Sequence, residues 1–260
     1  MISKNVGIRV LNKALATGGD YAEIYIEEIN SLSVSVENGK VEDSSIVKSV
    51  GAGIRILNKL QSVYGYTNDL SEKSLTKLAE NLSSSFSEKQ VLKIDTLKTK
   101  RVKNISLIEK SFENINDEII INYLKDGCKI CMDFDKRIVR SNLSFNYKIS
   151  NIQIINSKGF NYLDKKERGR VGVMCTAADQ GKIETGFEGP GASAGFEFFQ
   201  NEVDIKEVSK EVASKTIMML EAKECPSGKM PVVIGNGFGG TLFHEACGHP
   251  LEASAVSKNL

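Results

Sequence analysis

Residues Ser3 to Ala16 place apolar side chains three and four positions apart, with Lys4, Arg9 and Lys13 between them, and the run stops at Thr17-Gly18-Gly19-Asp20. That spacing predicts an amphipathic helix. The period then falls to two. The stretches YAEIYIEE and SLSVSVENGKVEDSSIVKSVGAGIRIL alternate apolar and polar residues, as half-buried strands do, and Asn38-Gly39 between them supplies a hairpin turn. A further strand, QSVYGYTN, leads to Asp69 and Ser71, which can cap a helix over EKSLTKLAENLSSSF. Helix, strands, helix is the order of a small α+β domain, expected over residues 1–90.

Charge then rises and periodicity fades, and a linker is expected over 91–110. A second α+β domain is expected over 111–225. It opens with the helical stretch DEIIINYLKDGCKICMDF. Strands follow in KRIVRSNLSFNYKIS, NIQIINSKG, FNYLDKKERGRVGVMCTAA and GKIETGFEGPGASAGFEFF, joined by Gly-bearing turns, and a helix spans about Val203 to Ala222. After the break at CPSGK, MPVVIG reads as a buried strand and NGFGG as a turn into a helix carrying TLFHEACG. Residues 226–260 are therefore expected to begin a third domain and to leave it incomplete. The fold class is α+β, multidomain, with mainly antiparallel sheets packed against helices.

Composition narrows the partners. The 34 basic and 33 acidic side chains leave a formal charge of +1, so no net field draws the chain to nucleic acid or to an anionic membrane. No apolar run approaches the roughly 18 residues of a membrane span. Five scattered cysteines suit free thiols in a reducing compartment better than a disulfide framework, and a cytoplasmic location is expected.

Both histidines of the chain stand in GFGGTLFHEACGHPLEA. His244 and His249 are five positions apart, which on a regular helix separates them by about 140° around the axis. A shared metal therefore requires a π-bulge, a break or a helix end between Ala246 and Pro250. Gly248 can permit such a break, and Pro250 disfavours an unbroken helix. With both imidazoles on one ion, Glu245 is the natural general base. On spacing alone, two nearby histidines without a ligand remain an equal reading. Cys247 lies between the histidines and would project from another face, and Glu252 reads as a supporting carboxylate rather than a ligand.

HEACGHPLEA, with the Gly-rich approach before it and with VENGKVED and GAGIRIL in the first domain, resembles the TldD branch of the TldD/PmbA family of metallopeptidases. The resemblance covers essentially the whole chain. It implies Zn2+ held by His244 and His249, Glu245 as the catalytic carboxylate, and a third protein ligand, a cysteine, beyond residue 260. It also implies an unfolded or extended peptide substrate, and a homodimer or a heterodimer with a PmbA-type subunit. On this reading the chain is an N-terminal piece, truncated after the motif and inactive alone.

Two other readings stay open. Gly235, Gly237 and Gly240 form a G-x-G-x-x-G that a phosphate- or nucleotide-binding module could use, although no repeated βαβ pattern surrounds it. The chain could also serve as a non-catalytic subunit of a peptidase complex. Cys128 and Cys131 form a C-x-x-C inside a helical pattern with no second pair, and read as helix residues.

Overall fold

Ser3 starts the first helix: its side chain accepts the Val6 N–H, and α1 (Lys4–Ala14) buries Val10, Leu11 and Ala14. The computed structural model describes residues 1–103 and 108–258. Positions 104–107 of the expected linker and 259–260 of the expected third domain lie outside the described residues.

The long hairpin forms where alternation predicts it. β1 (Tyr21–Glu37) and β2 (Lys40–Asn58) pair along their length, with a bulge near Ser35 and Val36. Asn38 and Gly39 take φ of 49° and 79°, the left-handed geometry of a two-residue hairpin turn. Asn38 also accepts the Ser141 N–H at 2.8 Å. β3 (Gln61–Thr67) pairs with β2, and α2 (Glu72–Ser83) follows, capped by Ser71.

β4 (Lys98–Arg101) lies within the segment expected as a linker. Next come α3 (Asp117–Phe134), capped by Asn116, β5 (Ile138–Asn156) and β6 (Phe160–Asp179). β7 (Lys182–Glu188), β8 (Gly191–Ala192), α4 (Glu197–Asn201) and α5 (Ile205–Glu221) complete this part. One sheet holds all eight strands, in the order β3-β2-β1-β5-β6-β4, with β7 and β8 also on β6. Every ladder is antiparallel except β4 with β6.

Alternation sets the two faces of this sheet. Ile24, Ile26, Leu32, Val34 and Val36 of β1 are buried, all at even positions. At one end of the strands Ile24, Ile26 and Ile155 pack with α1 and α2; at the other, Leu32, Val34 and Phe145 pack with α3 and α5. Both helical layers thus cover one face, and the opposite face is open to solvent, as antiparallel sheets allow. Residues 1–222 form one compact unit and 223–260 a second.

Two expected strands differ. GKIETGFEGPGASAGFEFF forms β7 as far as Glu188 and then the two-residue β8, and its last residues turn into α4. The Glu197 carboxylate accepts the N–H groups of Gly195 and Lys110 at 2.9 and 2.8 Å, while Phe196 and Phe199 bury at helical spacing. MPVVIG forms no strand: Val232 and Val233 are 71% and 101% exposed. A strand needs a ladder partner for its backbone groups, and among the described residues none adjoins this one.

Candidate metal centre

In the unit of residues 223–260, α6 (Gly239–Phe243) runs into a π-helical turn at His244–Gly248, followed by a 3-10 turn at His249–Leu251. The break falls where the histidine spacing requires it. The His249 N–H donates to the His244 carbonyl, the i to i+5 bond of a π turn, which brings the fifth residue back over the first. Pro250 has no N–H to continue the ladder, and Glu252 leaves it with extended backbone at φ −64° and ψ 142°. Gly248 contributes differently from its expected role. Its φ of −67° is ordinary helical backbone. What it supplies is room, since a Cβ there would lie 3.3 Å from His244 Nδ1.

The turn gathers the three residues that the spacing singles out. Donor atoms of His244, Glu245 and His249 lie within 4.8 Å of one another, all on exposed side chains. The two imidazole rings sit 4.6 Å apart at 65°. His249 Nε2 is 3.5 Å from Glu245 Oε2, and His249 Nδ1 is 2.6 Å from Glu252 Oε1. A carboxylate oxygen accepts, so Nδ1 carries the proton of that bond and the Nε2 lone pair is left for a ligand bond. Such a carboxylate–imidazole pair is the usual support behind a metal-binding histidine.

The donor set fits a metal. Two imidazoles match the nitrogen ligands of zinc, whose bonds of about 2.0–2.1 Å place donor atoms roughly 3.3 Å apart, and the carboxylate beside them suits a proton acceptor for a bound water. Cys247 is exposed but is not part of this group.

The other candidates divide differently. Gly237 has φ +83°, but Gly235 and Gly240 stand in open space and no strand precedes the five-residue α6. The strand–turn–helix that a nucleotide fingerprint needs is therefore missing among the described residues. Cys128 and Cys131 are fully buried in α3, with Cys128 Sγ donating to the Val36 carbonyl at 3.4 Å. They are core residues of the helix. No described helix is long and apolar enough to cross a membrane.

Comparison with known proteins adds a family. Residues 22–85 match the PmbA/TldA metallopeptidase domain 1, and residues 110–220 match the PmbA/TldA metallopeptidase central domain. A metalloprotease TldD homolog of Buchnera aphidicola from Acyrthosiphon pisum is 27% identical over 239 residues, covering 90% of this chain and 50% of its own. A Bacteroides thetaiotaomicron structure, described as a candidate modulator of DNA gyrase, superposes with a TM-score of 0.69 at 15% identity, over 86% of this chain and 51% of that one. TldE from Thermococcus kodakarensis gives a TM-score of 0.56 at 12% identity, over 82% of this chain and 46% of that one. The chain spans about half the length of the curated relatives it matches.

Proposed function

The chain belongs to the TldD/PmbA family of metallopeptidases, and from that premise we propose that His244 and His249 bind a catalytic zinc ion while Glu245 serves as general base in peptide hydrolysis. The observation that supports this reading is the π turn, which brings the two histidines and Glu245 together.

In this reading His249 binds through Nε2, because Glu252 engages Nδ1. Bound there, zinc supplies a Lewis acid that polarises a carbonyl and makes water acidic near neutral pH. Glu245 Oε2, 3.5 Å from the metal-facing nitrogen of His249, takes the proton of the attacking water and returns it to the leaving amine. The substrate is an unfolded or extended polypeptide.

A catalytic zinc is normally held by three protein ligands. The described residues offer two imidazoles, with Glu245 reserved for the proton. By itself the chain is expected to hold zinc weakly and to hydrolyse no peptide until a third ligand completes the site. A subunit of the same family, either a second copy or a PmbA-type chain, is the proposed partner, supported by the shared fold with TldE. Five free thiols are consistent with a cytoplasmic location.

Zinc titration by equilibrium dialysis tests the reading. The wild-type chain should take up one ion per chain at high zinc, and His244→Ala and His249→Ala should each abolish that uptake. Unchanged uptake by both variants would remove the assignment.

A further inference from the structure

On the open face of the sheet, two cross-strand rows end in arginines. Register places Ser31 opposite Lys148 and Lys148 opposite Arg168 in one row, and Ser33 opposite Asn146 and Asn146 opposite Arg170 in the next. These residues line a groove of about 340 Å³, with the serines of β1 as its floor and the arginines of β6 as its wall. The strand alternates sharply here: Arg168 and Arg170 are exposed, while Glu167 before them and Gly169 between them are buried.

Several charges on this face are paired within it. Arg55 pairs with Glu23 at 2.7 Å, Lys148 with Glu27 at 3.3 Å and Lys166 with Asp164 at 3.6 Å. Among the described residues neither Arg168 nor Arg170 has a carboxylate partner. Lys148, already paired with Glu27, stands directly opposite Arg168. Arg170 is also held in place. Its Nε donates to the Gly189 carbonyl at 3.1 Å and its guanidinium lies 5.8 Å from the Phe187 ring centre.

We propose that this groove binds an extended acidic polypeptide segment through carboxylates at alternate positions. Same-face residues two apart on a strand are about 7 Å apart, so Arg168 and Arg170 share that spacing with the two acids of a Glu-x-Glu segment lying along the serine floor. Each guanidinium takes one carboxylate, and the serine hydroxyls and Asn146 amide donate to the remaining oxygens. The proposal does not rest on the metal reading, because none of its residues belongs to the histidine cluster.

The test is fluorescence anisotropy of a short labelled peptide with glutamate at alternate positions, added to the wild-type chain. Binding should weaken about tenfold or more when the glutamates become glutamines, or when they are moved to adjacent positions. The double variant Arg168→Glu, Arg170→Glu should lose the glutamate peptide and gain one with lysines at the same alternate positions. That gain of binding is a signal an unfolded variant cannot give. His249→Ala should bind the glutamate peptide as the wild type does. Absence of wild-type binding, equal binding of the glutamine peptide, failure of the reversed pair to bind, or displacement by equimolar inorganic phosphate at constant ionic strength would each overturn the proposal.

Discussion

A carboxylate on one nitrogen of an imidazole decides what the other nitrogen can do. Glu252 on His249 Nδ1 fixes the tautomer that offers Nε2, so Glu252→Gln should lower zinc affinity about 10- to 100-fold without removing a ligand. Competition with a fluorescent chelator would measure it, and an unchanged affinity would make Glu252 a bystander. Glu245 has the other assignment. In a form of the protein that hydrolyses peptide, Glu245→Gln should cut turnover by about two to four orders of magnitude while zinc stays bound, whereas His244→Ala should lose both. Near-normal turnover in Glu245→Gln would displace the base to another residue. The backbone shape of this centre was legible from the chain alone: two histidines five positions apart can share a metal only if the helix is interrupted between them, and it is interrupted there. The part played by Gly248 was not legible, since the clearance to His244 exists only once the π turn has formed. The arginine rows on the sheet were hidden for a related reason. Residues as distant as Ser31, Lys148 and Arg168 fall in one cross-strand row only through register.

At the scale of elements, period and caps located most helices and strands, because amphipathic spacing and a capping side chain act locally. They failed where the decisive contact is long-range. β4 exists because Lys98–Arg101 finds the edge of β6, and MPVVIG stays irregular because nothing described adjoins it. The α3–α5 contact is a second long-range feature. A Cβ on Gly127 would overlap Leu143 and meet Ser209 Oγ at 2.9 Å, so Gly127→Ala should destabilise the fold by about 1–3 kcal/mol in a denaturant titration. Full wild-type stability would mean that α3 can shift freely. The turn from α3 to β5 carries a titratable link. Side-chain hydrogen bonds from Arg137 hold the Asp135 carboxyl down at about 2, and Arg137 also reaches Glu221 of α5 at 2.8 Å. Because the folded value is depressed, this link is fully present above the unfolded value of about 3.9 and is lost as pH falls through about 2. NMR titration should find Asp135 at the low value, and Arg137→Ala should raise it toward the ordinary range, with the backbone N–H of residue 137 still holding it part of the way down.

The whole molecule raises the question of how many parts fold together. The family matches fall in two regions, 22–85 and 110–220, yet β1 contributes Ile24 and Ile26 to one core and Leu32, Val34 and Val36 to the other. β5 does the same with Ile155 and Phe145. A strand cannot keep one end in register while the other end melts without exposing a free edge and half a hydrophobic core. Residues 1–90 alone would leave β1 without β5 and would lack Ile94, Leu97 and Ile155 from the core they fill. We therefore expect residues 1–90 to be largely unfolded, and residues 1–222, which hold both cores and every strand of the sheet, to unfold in one cooperative transition. Calorimetry of the two pieces, with circular dichroism beside it, makes the comparison. Two resolved transitions in 1–222, or a cooperatively folded 1–90, would show that the shared strands couple the cores weakly and that each region is a folding unit in its own right.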